Sequence, residues 1–216
     1  AKHLLLQVAG AYEGSVTTDE LVPSGDATAY RSNPEKISEY TLISRDPGYR
    51  VRAKAVREDA ALVRAGQLPH DPAAACAVSK VVVQLGCKPE DITYGSLIIS
   101  DAIGDGSSRE QAASNQKVLG GYANLACEYS TKRYRSNLIN WGILPLLMQE
   151  NPGLQVGDFI LIENVQDAIA HAGEPVALHI LRVSGETVCL ASLGQMTEEE
   201  KQILASGCLI NYYKNA

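Results

Sequence analysis

The chain has 216 residues, 45% of them hydrophobic and 20% charged, with a net charge of −6. That balance suits a folded chain with a core of its own and excludes a disordered or fibrous one. The cations of Arg45–Arg57 and of Lys132, Arg133 and Arg135 alternate with apolar or acidic residues, so no basic stripe marks a nucleic-acid surface, and no apolar run is long enough for a membrane span.

Five cysteines (Cys76, Cys87, Cys127, Cys189 and Cys208) are scattered without a CxxC pair. An odd count without secretory features fits a reducing compartment, and a cytoplasmic location is expected. In chain order, His3–Ala9 reads as a strand. A polar, turn-rich segment with Gly14, Pro23–Asp26 and Asn33–Pro34 follows. Glu35–Ile43 suggests a short helix and Asp46–Gly48 a turn. Arg50–Gly66 carries apolar residues at helical spacing and stops at a glycine. A polar linker over 67–73 leads to a second apolar helix, Ala74–Leu85, closed by Gly86.

Ile92–Ser100 has the composition of a buried strand and runs into the glycine-rich turn Gly104–Ser108. The pattern then predicts a helix from Arg109 to about Gly120, a strand over Tyr122–Tyr129 and a helix over Thr131–Trp141. Three strand candidates follow: Phe159–Glu163, Val176–Val183 and Thr187–Leu193. Thr197 with Glu200 three residues on has the pattern of a capping box that opens a final helix. This order predicts one mixed α/β domain over residues 1–216, with 44–90 a partly helical stretch.

The strongest chemical signal is Gly104-Asp105-Gly106-Ser107-Ser108-Arg109-Glu110. Glycines let a backbone turn sharply and approach a ligand closely. A helix start presents unpaired N–H groups and the positive end of the dipole. An arginine adjoining it offers a planar fork that matches a carboxylate or phosphate. The bland alternative is a plain capping box of Ser108 with Gln111. The turn lacks the lysine of a Walker loop and the glycine spacing of a dinucleotide fingerprint. A second signal is Thr17-Thr18-Asp19 followed by Arg31.

Together these motifs resemble the aconitase family. Gly106–Glu110 with Ala112-Ala113 is similar to its Gly-Ser-Ser-Arg-Glu-His-Ala-Ala motif. Leu119-Gly120-Gly121, Ser136-Asn137-Leu138 and Gly142–Leu146 fall in the family's order, and Thr17–Asp19 and Arg31 fall at its spacing. Similarity is weakest over residues 44–90. The resemblance implies an α/β fold: a single swivel domain with a partly open, barrel-like mixed β-sheet flanked by helices. It implies that Ser107 is the base that takes a proton from the substrate carbon, that Asp19 is an active-site carboxylate, and that Arg31, Ser108 and Arg109 bind substrate. The implied activity is a hydro-lyase acting on a citrate- or isocitrate-like polycarboxylic hydroxy acid. The implied cofactor is a [4Fe–4S] cluster held by cluster-binding domains outside this chain, in the same polypeptide or a large subunit. No nucleic acid or membrane partner is expected.

Two positions depart from the family pattern: Glu20 and Gln111 stand where it has histidines. They point to a divergent branch. The alternatives are the small subunit of an isopropylmalate or homoaconitate isomerase and a non-catalytic anion-binding module. An arginine at 31 speaks against a substrate with an apolar tail.

Overall fold

The computed structural model describes residues 1–216. Its frame is one mixed sheet of seven strands: β1 (His3–Thr17), β2 (Ile92–Asp105), β3 (Gly121–Tyr129), β4 (Leu144–Leu147), β5 (Phe159–Ile162), β6 (Val176–Arg182) and β7 (Gly185–Ala191). Their order is β4-β3-β2-β1-β5-β6-β7. The first four strands pair in parallel, and β5, β6 and β7 are added antiparallel beyond β1. The helices are α1 (Thr18–Leu21), α2 (Pro34–Ser38), α3 (Tyr49–Arg64), α4 (Pro72–Leu85), α5 (Arg109–Val118), α6 (Lys132–Asn140), α7 (Val165–Ala170), α8 (Glu198–Ala205) and α9 (Leu209–Asn215).

Period-two alternation divides the sheet into two faces. Leu4, Leu6 and Val8 of β1, Leu97 and Ile99 of β2, Leu125 of β3 and Leu178 and Ile180 of β6 point into a core of 22 residues, with Ile169 of α7 and Ile203 of α8 among them. The opposite face carries two further clusters. Leu5, Tyr94 and Leu161 meet α3 and α4, whereas Val16, Ile98 and Ile103 meet Ala112 and Ala113 of α5 and Tyr134 and Leu138 of α6. Each buried aliphatic side chain contributes about 1.5–3 kcal/mol of transfer free energy. The sheet curls until its edges touch at one bridge, where Leu147 and Ser192 exchange backbone hydrogen bonds of 2.7 and 2.9 Å. It does not close into a barrel, because β4 and β7 share no ladder beyond that pair.

Most predicted elements stand where expected, with differences that have physical causes. β1 continues past Ala9 to Thr17, since pairing with β2 holds Gly10–Thr17 extended across three register shifts. The segment expected as loop therefore starts later, and Asp19 lies in α1 instead. β4 is not among the expected strands; it forms because Leu144–Leu147 pair with Ala123–Ala126 of β3. Thr197 and Glu200 do form a reciprocal capping box at α8, but that helix is not the last, since α9 follows it.

Candidate active-site rim

Parallel strands β1 and β2 end side by side, with Thr17 paired to Asp105; β1 runs directly into α1, and β2 reaches α5 through the turn at residues 106–108. In open α/β sheets this carboxyl end is where ligands bind. Gly106 has φ +129°, and a Cβ there would lie 1.9 Å from the Thr18 hydroxyl. Thr18 is fully buried, so only a glycine lets the two turns touch. Gly104 has φ +98° and packs against the Tyr134 side chain, where a Cβ would come within 2.2 Å of a ring carbon. The two glycines press the turn down between α1 and α6, and Ser107 is left exposed at its crest.

Ser108 is the N-cap of α5, but its side chain makes no capping hydrogen bond. The bland capping-box reading with Gln111 is thus not what the structure adopts. The amides of Arg109, Glu110 and Gln111 donate to no backbone carbonyl, which leaves the positive helix end open toward Ser107. Arg109 is half-buried, and its Nε is buried without a partner. A buried donor left unpaired is costly, and such donors usually await a water or a ligand. The Thr18 hydroxyl beneath Gly106 is likewise unpartnered.

Asp19 lies in the first turn of α1, exposed and without a protein hydrogen bond. Its neighbour Glu20 is fully engaged. One Glu20 oxygen accepts from the Thr17 amide at 2.7 Å and the Thr17 hydroxyl at 3.1 Å. The other accepts from Arg45 at 3.0 Å. Arg45 also donates to the carbonyls of Glu13 and Ser15 at 2.6 and 2.7 Å and covers the Tyr12 ring at 5.1 Å. Leu42 is buried with φ +58°, and its amide donates to the Glu20 carbonyl at 2.8 Å. A leucine in that conformation costs about 1–2 kcal/mol. The surrounding packing and this bond hold it there. Glu20 therefore acts as a clamp that sets the angle at which Asp19 leaves β1.

Arg31 follows the 3₁₀ turn Gly25–Tyr30 and is exposed, with no hydrogen bond or ion pair. Its neighbour Tyr30 stacks on Tyr40 at 5.9 Å, and α2, just beyond, packs against α5. The structure thus brings the Asp19 and Ser107–Arg109 turns into contact. Arg31 stands on an adjoining segment and makes no hydrogen bond or ion pair to either. Sequence reasoning missed Arg45 and Tyr134 and gave Thr18 no role of its own, because these roles depend on contacts between distant segments.

Behind the rim lies a buried polar ring. Gln116 Nε2 donates to the Tyr134 hydroxyl at 2.7 Å, that hydroxyl donates to Asn124 Oδ1 at 2.7 Å, and Asn124 Nδ2 donates to Gln116 Oε1 at 2.6 Å. Burial, the largest cause, raises the Tyr134 pKa far above its ordinary value, so the hydroxyl keeps its proton. At Asp46, burial opposes the charge. Hydrogen bonds from Arg52 and Tyr12 and the Arg52 charge outweigh it, so its pKa lies below the ordinary value. The five cysteines are free, and no three His, Cys, Asp or Glu side chains are grouped to hold a metal ion.

Comparison with known proteins bears on this geometry. Residues 90–151, which include the Ser107 turn, match the family model described as the aconitase C-terminal domain. The mitochondrial homocitrate dehydratase of Saccharomyces cerevisiae is 25% identical over 220 residues, covering 99% of this chain and 26% of that protein. A putative mitochondrial aconitate hydratase of Emericella nidulans is 23% identical over 95% of this chain and 24% of its own length. This chain thus spans about a quarter of the length of these relatives. The methanogen homoaconitase small subunit of Methanocaldococcus jannaschii is 30% identical over 58% of this chain and 66% of that protein. Among solved structures, a 3-isopropylmalate dehydratase (leuD) from the same organism shares the fold. It superposes with a TM-score of 0.55 at 19% identity, covering 99% of this chain and 94% of that one.

Proposed function

We infer the role of this chain from one premise: it belongs to the aconitase family, as an aconitase-like swivel domain. In our reading it supplies the proton-abstracting side of a hydro-lyase that dehydrates and rehydrates a citrate- or isocitrate-like hydroxy acid. The observation that carries this reading is the exposed Ser107 at the open positive end of α5, pressed by Gly106 against the turn that bears Asp19.

Each residue has a role that follows from its chemistry. A serine hydroxyl is far too weak an acid to serve as an alkoxide near neutral pH unless its surroundings favour the anion. The unpaired amides of Arg109–Gln111 and the Arg109 guanidinium supply such surroundings here. Ser107 then takes the proton from the carbon beside a substrate carboxylate. Arg109, with its unpartnered Nε, and Ser108, whose hydroxyl is not spent on capping, bind substrate oxygens. Arg31 takes a second carboxylate in this reading, and two guanidinium groups orient a polycarboxylate better than one. Asp19 faces the same rim and stays available for proton transfer.

The chain's own side chains do not form a cluster-binding site, so we place the [4Fe–4S] cluster on other domains of the enzyme, whether in the same polypeptide or in a large subunit. The small-subunit arrangement is the second reading, favoured by the likeness to the homoaconitase small subunit and by the shared fold with leuD. No helix is long and apolar enough to cross a membrane. Free cysteines keep a reducing compartment such as the cytoplasm as our expectation, alongside the mitochondrial names of several relatives.

The deciding experiment is Ser107→Ala in the full-length assembly, assayed on citrate, isocitrate, homocitrate and 3-isopropylmalate. We expect turnover to vanish while calorimetry still shows binding of the acid that the wild type uses. Normal turnover in that variant would remove Ser107 as the base.

A further inference from the structure

We infer that Tyr134 is a positioning residue for this chemistry: its ring seats the strand end before Ser107, and its hydroxyl fixes the helix after Ser107. The inference rests on the proposed function and deepens it.

Tyr134 grips both flanks of the turn. On the strand side, Gly104 lies against the ring so closely that no Cβ fits between them. On the helix side, Gln116 of α5 donates to the hydroxyl at 2.7 Å. The third member, Asn124 in the middle of β3, ties the ring to the sheet. Within the ring each residue donates once and accepts once, so the three bonds polarise one another in the same sense. All three residues are buried, Gln116 and Asn124 each at 1% exposure or less, and an unmade bond there has no water to replace it.

The cost of building such a ring points to a geometric purpose. An apolar trio of similar volume holds a core together without the risk of unpaired polar groups. A closed polar ring admits one rotation and one depth of α5 relative to β3. The helix start that must point at Ser107 belongs to that same α5. Nearby contacts fix other motions: Asn115 anchors α5 to the Leu21 carbonyl at 3.2 Å, and Arg57 holds its far end through the Val118 carbonyl at 2.7 Å. Neither touches the strand side of the turn. Removing the hydroxyl alone, with Tyr134→Phe, keeps the ring under Gly104 and opens the circuit. Gln116 retains its bond to the Ala112 carbonyl at 3.1 Å, while Asn124 Oδ1 loses its only donor. α5 then keeps the Gln116–Asn124 bond as its one remaining tie within the ring, its seating against β3 loosens, and its amides lose their aim at Ser107.

The test uses the full-length enzyme and whichever of citrate, isocitrate, homocitrate or 3-isopropylmalate it turns over. That acid is supplied with hydrogen or deuterium at the carbon that loses its proton. For Tyr134→Phe we expect kcat to fall about tenfold to a hundredfold, the scale set by a roughly ångström-sized misplacement of a catalytic group. KM should stay within about twofold, and the deuterium isotope effect on kcat should rise, because proton abstraction alone is slowed. A purely structural role lowers kcat through a smaller active fraction and leaves the isotope effect unchanged. That outcome overturns the proposal, as does an unchanged kcat. Should Tyr134→Phe fail to fold, Gln116→Met, which keeps the Tyr134–Asn124 bond, carries the same expectation and the same refuting results. Ser107→Ala measured alongside separates the two levels: normal turnover there rejects the base assignment, whereas loss of turnover there with a normal Tyr134→Phe rejects the positioning role alone.

Discussion

Gly106→Ala probes the contact on which the rim depends. Two separate penalties arise. The φ of +129° is one that L side chains rarely adopt, and strain of this kind costs about 1–3 kcal/mol. The new methyl would also stand 1.9 Å from the Thr18 hydroxyl. Thr18 is fully buried with no room to retreat, and overpacking costs about another 1–3 kcal/mol. The single variant should therefore lose about 2–6 kcal/mol in a urea melt. Thr18→Ala removes the offending oxygen, which makes no hydrogen bond of its own, together with a buried methyl, so by itself it should cost about 1 kcal/mol. Made in the Thr18→Ala background, Gly106→Ala should retain only the φ penalty. The coupling in this double-mutant cycle should thus be about 1–3 kcal/mol. A coupling near zero would refute the contact between the Asp19 and Ser107 turns, and a loss below about 0.5 kcal/mol for Gly106→Ala would refute both penalties.

Other expectations follow from the clamp around β1. Glu20→Ala loses the reciprocal cap on Thr17 and the Arg45 pair and should cost about 0.5–2 kcal/mol of unfolding free energy in a urea melt, while Glu20→Gln should leave turnover intact. Turnover abolished by Glu20→Gln would show an acid–base role in place of a clamp. Asp46 titrates below its ordinary value. A depressed folded pKa adds stability above the unfolded carboxyl value of about 3.9, and that stability is lost as pH falls through the folded value. Asp46→Asn should accordingly lower the melting temperature at neutral pH and flatten its acid limb. An acid limb as steep as wild type would mean that Asp46 contributes no such linkage.

The sequence made the helices and the chemical turn legible for local reasons. Arg50–Gly66 and Ala74–Leu85 carry their periodicity and their glycine stops within single segments, and α3 and α4 form there. The Gly104–Arg109 turn was readable because its glycines and its helix start adjoin in the chain. What stayed hidden depends on pairing and packing across the fold. Gly10–Thr17 has the composition of a loop, and only the neighbouring β2 makes it a strand. α7 and α9 are short, and neither carries a local signal strong enough to read. One signal was present and could have been used: Asn124 interrupts an apolar strand, and a polar side chain in a buried strand requires partners. Its partners, Gln116 and Tyr134, come from two different helices. Glu20 likewise stands where the family pattern has a histidine, and Thr17 and Arg45 occupy its carboxylate.

The most direct measurement follows the substrate proton itself. Wild-type enzyme and Ser107→Ala are each incubated in D₂O with the acid the enzyme uses, and deuterium entering the carbon beside the carboxylate is read by NMR. The account predicts steady incorporation by the wild type and none by Ser107→Ala at saturating substrate. Incorporation at the wild-type rate in the alanine variant would contradict it, because some other group would then be removing the proton.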